Sequence, residues 1–97
     1  MSDNKTIQTV GSIKKNALHR LFIRINEYQG ATICDIRLNY KDDSSQWQPT
    51  PKGVSIQVSQ LPELIRLLEV TEKYCVDHKL LNPDSVTEKL EYDTKDV

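Results

Sequence analysis

Residues 20–40 read RLFIRINEYQGATICDIRLNY, and their alternation decides the fold. Leu21, Ile23 and Ile25 share one parity, whereas Arg20, Phe22, Arg24, Asn26 and Tyr28 share the other. Successive strand side chains take opposite sides of a sheet, so the first set faces a core and the second faces away from it. Gln29-Gly30 then makes a tight turn, for which Gly30 supplies the positive φ. In the returning arm Thr32, Cys34, Ile36 and Leu38 join the core set, while Ile33, Asp35, Arg37 and Asn39 join the polar one. A merely solvated face mixes Lys, Glu, Ser and Thr, but this one sets guanidiniums beside the rings of Phe22 and Tyr28. Such a mixture suits nucleic acid, with guanidinium for phosphate and rings for stacking unpaired bases. Asp35 is expected to orient a neighbouring guanidinium by a charge-assisted hydrogen bond.

Outward from this hairpin the pattern weakens. Residues 1–16 are polar and read as a mobile basic arm, whose Lys14 and Lys15, with His19 just beyond, extend a phosphate-contacting track. After the second strand, residues 41–46 form a loop by composition. A short third strand is expected over 46–50, held to an edge by Pro49 and Pro51, and Lys52-Gly53 turns the chain into a fourth over 54–58. Trp47, the only tryptophan, has two readings, a packing anchor or an exposed stacking platform. From Ser59 to Leu81 the period changes to that of a helix, with Ser59 as N-cap and Pro62 in the first turn. Its apolar stripe is wide: Leu61, Leu64, Ile65, Leu68 and Cys75 are flanked by Leu67, Val70, Tyr74 and Leu81. A helix this broadly apolar wants two partners, the sheet and the same helix of a second subunit, with Tyr74 and His78 in that seam. Asn82-Pro83 stops it, one further helical turn is expected near 84–88, and residues 82–97 make an acidic tail.

The 97 residues make one domain, over 17–81, of a size that gains from dimerisation. Net charge is −1, which argues against a nucleic-acid partner until its distribution is considered. Between residues 12 and 52 seven basic residues face four acids; from residue 60 onward nine acids face five basic residues. One part of the chain is therefore suited to phosphate and the other is not. The start has neither the basic nor the apolar region of a signal peptide, and a soluble, intracellular protein is expected. Cys34 and Cys75 lack metal-ligand spacing and read as small hydrophobes outside any disulfide. His19 and His78 have no nucleophile or carboxylate arrangement, and none of the three glycines builds a phosphate-cradling motif, so no enzyme, metal or cofactor is expected.

The chain resembles the single-stranded DNA-binding domain of the eukaryotic transcriptional coactivator positive cofactor four (p15) and its bacterial and viral relatives. The resemblance covers about residues 19–68. It rests on Tyr28-Gln29-Gly30, on Asp35-Ile36-Arg37 followed by Tyr40, and on Pro49-x-x-Lys52-Gly53-Val54-Ser55. It implies an α+β fold, a curved four-stranded antiparallel sheet followed by a long helix, dimeric through that helix and holding unpaired DNA in basic channels. Tyr28 looks like the family's stacking aromatic, and Tyr40 stands where a tryptophan stacks on bases. Arg37 and Lys52 match phosphate-binding positions, with His19 near another. Gln29 and Ala31 depart from the pattern, standing where basic residues often flank the turn glycine. Arg20, Arg24 or the Lys14-Lys15 arm is then needed to replace that charge. Tyr40 has core parity, so a bulge between Arg37 and Tyr40 is expected to turn its ring outward.

Together these readings imply a homodimeric, sequence-independent binder of single-stranded DNA serving transcription, replication or recombination. Its contacts are Lys14, Lys15, His19, Arg20, Arg24, Tyr28, Arg37, Tyr40, Trp47 and Lys52. RNA fits the same chemistry, because stacking and phosphate contacts do not report the 2′-hydroxyl. The alternative is a dimeric interaction module whose acidic C-terminal half recruits replication or transcription proteins. Localisation follows the source: cytoplasm or nucleoid in a bacterium or virus, nucleus in a eukaryote.

Overall fold

The computed structural model describes residues 4–85. Four strands, β1 (Asn4–Asn16), β2 (His19–Tyr28), β3 (Ala31–Lys41) and β4 (Trp47–Gln57), form one antiparallel sheet in sequence order, and helix α1 (Leu61–Asp77) follows. The fold is thus α+β, with an open sheet of consecutive strands. The chain divides into a strand unit and a helical unit.

The central hairpin has the expected register. Leu21 pairs with Leu38, Ile23 with Ile36 and Ile25 with Cys34, so the apolar sets of both strands share a face. The turn explains why: Gln29 (φ 51°) and Gly30 (φ 82°) both lie at positive φ, the signature of a two-residue type I′ hairpin that matches strand twist. On β4, Val54 and Ile56 extend that face opposite Ile36 and Cys34.

Three expectations are corrected here. Residues 4–16 are a strand paired along β2, not a mobile arm. Register shifts between Thr6 and Gln8 and between Thr9 and Gly11 break its alternation, which is why the period-2 signal was lost. The expected third and fourth strands are one strand, β4. An irregularity does fall where a bulge between Arg37 and Tyr40 was expected, but between Arg37–Gly53 and Asn39–Pro49 β3 advances two residues and β4 four, so the extra backbone lies on β4, at residues 50–52. Side chains close the gap: Thr50 Oγ1 donates to the Leu38 carbonyl (2.7 Å), and Lys52 N donates to Thr50 Oγ1 (3.1 Å). The irregularity therefore re-aims β4 and leaves the β2–β3 ladder unbroken, so Tyr40 stays in step with Leu38 opposite His19.

Gly53 is dictated by close approach. A Cβ there would lie 2.6 Å from the Ile36 carbonyl oxygen and 2.9 Å from Arg37 Cα. Asp42 organises the β3–β4 loop, its Oδ1 accepting from the amides of Ser44 and Gln46 (2.9 Å each) and its Oδ2 from Gln48 Nε2 (3.0 Å). These bonds, the Gln46 amide foremost, hold its carboxyl below the ordinary value.

In the helical unit, the cap of α1 falls one residue later than the expected Ser59. Gln60, in helical conformation and without a side-chain cap, occupies the N-cap, with Pro62 in the first turn. The helix also ends early, at His78, where Lys79 takes φ 62° and the Leu80 amide donates to the Cys75 carbonyl (2.7 Å). This 6→1-like closure satisfies the last carbonyls locally. Tyr74 and His78 stack with ring centroids 4.0 Å apart. A 3-10 turn covers Pro83–Ser85, and the rest of the acidic tail lies outside the described residues. Among the described residues no helix is long and apolar enough to cross a membrane.

Candidate nucleic-acid interface

The polar face of the sheet has a buried stripe of its own. Phe22 and Asn39 are fully buried, and Asn26 and Asp35 are 4% and 6% exposed, all four on the parity of Arg24 and Arg37. Burial of four neighbouring side chains on this face, together with the groove they adjoin, fits a face that curves inward. The concavity holds a groove of about 720 Å³. Arg24, Asn26 and Tyr28 from β2, Ile33, Asp35 and Arg37 from β3, Ser55 and residues 49–51 from β4, and Thr6 from β1 line it.

Its electrostatic centre is Asp35. Arg37 Nη2 donates to Asp35 Oδ1 (2.8 Å) and Arg37 Nε to Oδ2 (3.1 Å), while Ser55 Oγ donates to Oδ1 (2.7 Å). Burial works to raise the Asp35 pKa, but the bonds from Arg37 and Ser55 and the charges of Arg37 and Arg24 outweigh it. The carboxyl thus titrates below its ordinary value and is ionised at neutral pH. Arg37 also donates through Nη1 to the Thr50 carbonyl (3.1 Å), so three of a guanidinium's five N–H groups are engaged within the protein. The remaining N–H groups and a quarter-exposed side chain are what Arg37 presents outward. Asp35 therefore orients Arg37, as its spacing implied. Cys34, on the opposite face, has its thiol pushed up by burial and by the Asp35 charge.

The rings divide. Tyr28 is 44% exposed at the groove's end. Phe22 is not a stacking platform: its ring packs against Trp47 (5.9 Å, tilted) and lies under the Arg24 guanidinium at 4.5 Å. Trp47 is accordingly half-buried, with Lys41 Nζ 5.9 Å from its ring, and these contacts favour the packing reading. Only the buried neighbours, contributed by distant residues, distinguish Phe22 from Tyr28.

The other expected contact residues gather elsewhere. Arg20 shares the polar face, and its Nε donates to Ser12 Oγ (2.8 Å) across β1 and β2. Lys14, Lys15 and Lys52 rim a second, shallower cleft floored by Ile13, Leu21 and Leu38. His19 Nδ1 donates to Asn16 Oδ1 (2.9 Å) in the β1–β2 turn. Tyr40 is 41% exposed and pairs with His19, in step with Leu38 and not with Arg37. The groove thus unites Arg24, Tyr28 and Arg37 with Asn26, placed on the same face by its parity, Ser55, the end of the Pro49–Ser55 motif, and Thr6, which no sequence signal singled out. Among the described residues no three metal-ligating side chains cluster.

Two guanidiniums and an exposed ring along one groove of an antiparallel sheet give that face chemistry suited to a polyanion. Comparison with known proteins gives the family. Residues 15–67 match the model described as Transcriptional Coactivator p15 (PC4), and the chain belongs to that family. The fold is similar to the crystal structures of BPSL1147, a PC4 homologue from Burkholderia pseudomallei, in two crystal forms. The orthorhombic form aligns with a TM-score of 0.65 and 29% identity over 67% of this chain and 88% of that one. The tetragonal form gives 0.63 and 29% over 67% and 96%. No curated protein matches.

Proposed function

We propose that this protein binds single-stranded DNA without sequence preference, as a homodimer, in transcription or another process that exposes unpaired strands. The observation that carries the reading is the groove, where the exposed Tyr28 ring stands beside the Arg24 and Arg37 guanidiniums. A ring stacks on a base only when the base face is uncovered, so the geometry favours single strands over duplex. Family membership supports the same reading. Lys14, Lys15 and Lys52 lie outside the groove, where they attract phosphate at longer range. Tyr40, exposed on the other parity, joins the path when a longer strand wraps beyond the groove.

Dimerisation is proposed through α1. Ile65, Leu67, Leu68, Val70 and Tyr74 are each at least half exposed, and α1 buries none of its residues. An apolar surface of that extent on one element is the kind that a second copy covers. Fluorescence anisotropy of a labelled 20-nucleotide strand and its duplex, at several salt concentrations, tests the proposal. Single-strand binding tenfold tighter than duplex binding and weakening with salt is expected; equal or absent binding refutes it.

A further inference from the structure

Asn26 lines the groove between Arg24 and Tyr28 and is 4% exposed, and its Oδ1, turned away from water, has no hydrogen-bond partner among the described residues. A buried amide oxygen without a partner is costly, and such groups in folded proteins call for an explanation. The amide does not set the strand pairing, since Thr6 and Ile33, its cross-strand neighbours, are held in register by the backbone ladder. Resting on the single-strand reading, we propose that Asn26 is a base-edge contact, its amide pairing with the hydrogen-bonding edge of an unstacked nucleobase at the groove floor.

The chemistry is general. A carboxamide sets one acceptor beside two donors, and every base carries a donor next to an acceptor on its Watson–Crick edge. The terminal torsion of Asn is soft and roughly two-fold, so the amide can present either end first. One residue therefore pairs with any of the four bases, which gives edge contact without sequence preference. It also penalises duplex DNA, whose edges already pair with the complementary strand. Positions 26 and 28 lie on one face about 7 Å apart along β2, so a base near the Tyr28 ring turns its edge along the floor toward Asn26.

The test separates edge pairing from stacking. Two 12-nucleotide strands are compared on the full chain, one of thymine and one carrying the isostere 2,4-difluorotoluene, which keeps thymine's shape but makes only feeble hydrogen bonds. The wild-type protein is expected to bind the thymine strand about fivefold to tenfold tighter, the low end of what one well-formed base contact gives. In Asn26→Leu, which keeps the side chain's branched shape, the two strands should bind equally and the salt dependence should be unchanged. Equal binding of both strands by the wild type, or a gap that survives in Asn26→Leu, overturns the inference while leaving the single-strand reading intact. Absence of salt-dependent binding to either strand overturns both. Should the variant not fold, the wild-type Asn26 side-chain amide resonances decide: they shift with the thymine strand and not with the isostere, or the inference fails.

Discussion

Replacing Asp35 with Asn removes one oxygen and one charge from the centre of the groove and should destabilise the protein measurably. The carboxylate accepts three hydrogen bonds, at 2.7, 2.8 and 3.1 Å, two of them from Arg37. The Asn oxygen can still accept from Ser55 and one guanidinium N–H, but its amide then opposes another, donor against donor. One charge-assisted bond is lost, worth about 1.5–3 kcal/mol, and a partly buried Arg37 is left without its counter-charge. The side chains are 8% and 25% exposed, so water recovers part of this at Arg37, and a loss of about 2–3 kcal/mol is expected. The pH dependence follows from the depressed pKa of Asp35. Its contribution is fully present above the unfolded value near 3.8 and is lost as pH falls through the lower folded value. Urea unfolding followed by Trp47 fluorescence, at one protein concentration and at pH 7, 5, 4 and 3, measures both effects. The gap between wild type and variant should be widest at pH 5–7 and shrink below pH 4. A gap under about 0.5 kcal/mol at pH 7, or one that does not change with pH, refutes the reasoning. DNA affinity is the wrong readout for this variant, because removing a negative charge from the groove raises attraction for phosphate generally.

Gly53→Ala should destabilise by about 1–3 kcal/mol, because the new methyl meets backbone of β3 that cannot swing aside; thermal unfolding within a degree of wild type would show that the strands separate easily. Asn39, fully buried with neither amide atom bonded among the described residues, should be better replaced by Leu, with a gain of about 1–2 kcal/mol in denaturant unfolding; a loss would mean the amide has a partner. Tyr28→Ala should weaken single-strand binding about tenfold at any strand length, whereas Tyr40→Ala should do so for a strand of about 20 nucleotides but not for one of about six. Equal losses on the short strand would place Tyr40 beside Tyr28 on the working surface.

The hairpin of residues 20–40 was legible because its determinants are local. Alternation assigns faces, and a two-residue turn with Gly30 fixes which residues oppose each other, so Leu21–Leu38 and Ile23–Ile36 follow from spacing alone. The helix was legible for the same reason, although its ends moved by a few residues with the cap at Gln60 and the left-handed Lys79. β1 was not, since three register shifts along it cancel the periodicity by which strands are recognised. Nor could sequence separate Phe22 from Tyr28, two rings of equal parity. One is buried by Trp47, 25 residues away, and the other is left open at the groove's end. The engagement of Arg37 with Thr50, the exclusion of Tyr40 from the groove and the Asn26 Oδ1 left without a partner among the described residues are likewise tertiary. Parity is set by neighbours in the chain, whereas burial and hydrogen-bond supply depend on how a bent sheet brings β1 and β4 against the central hairpin.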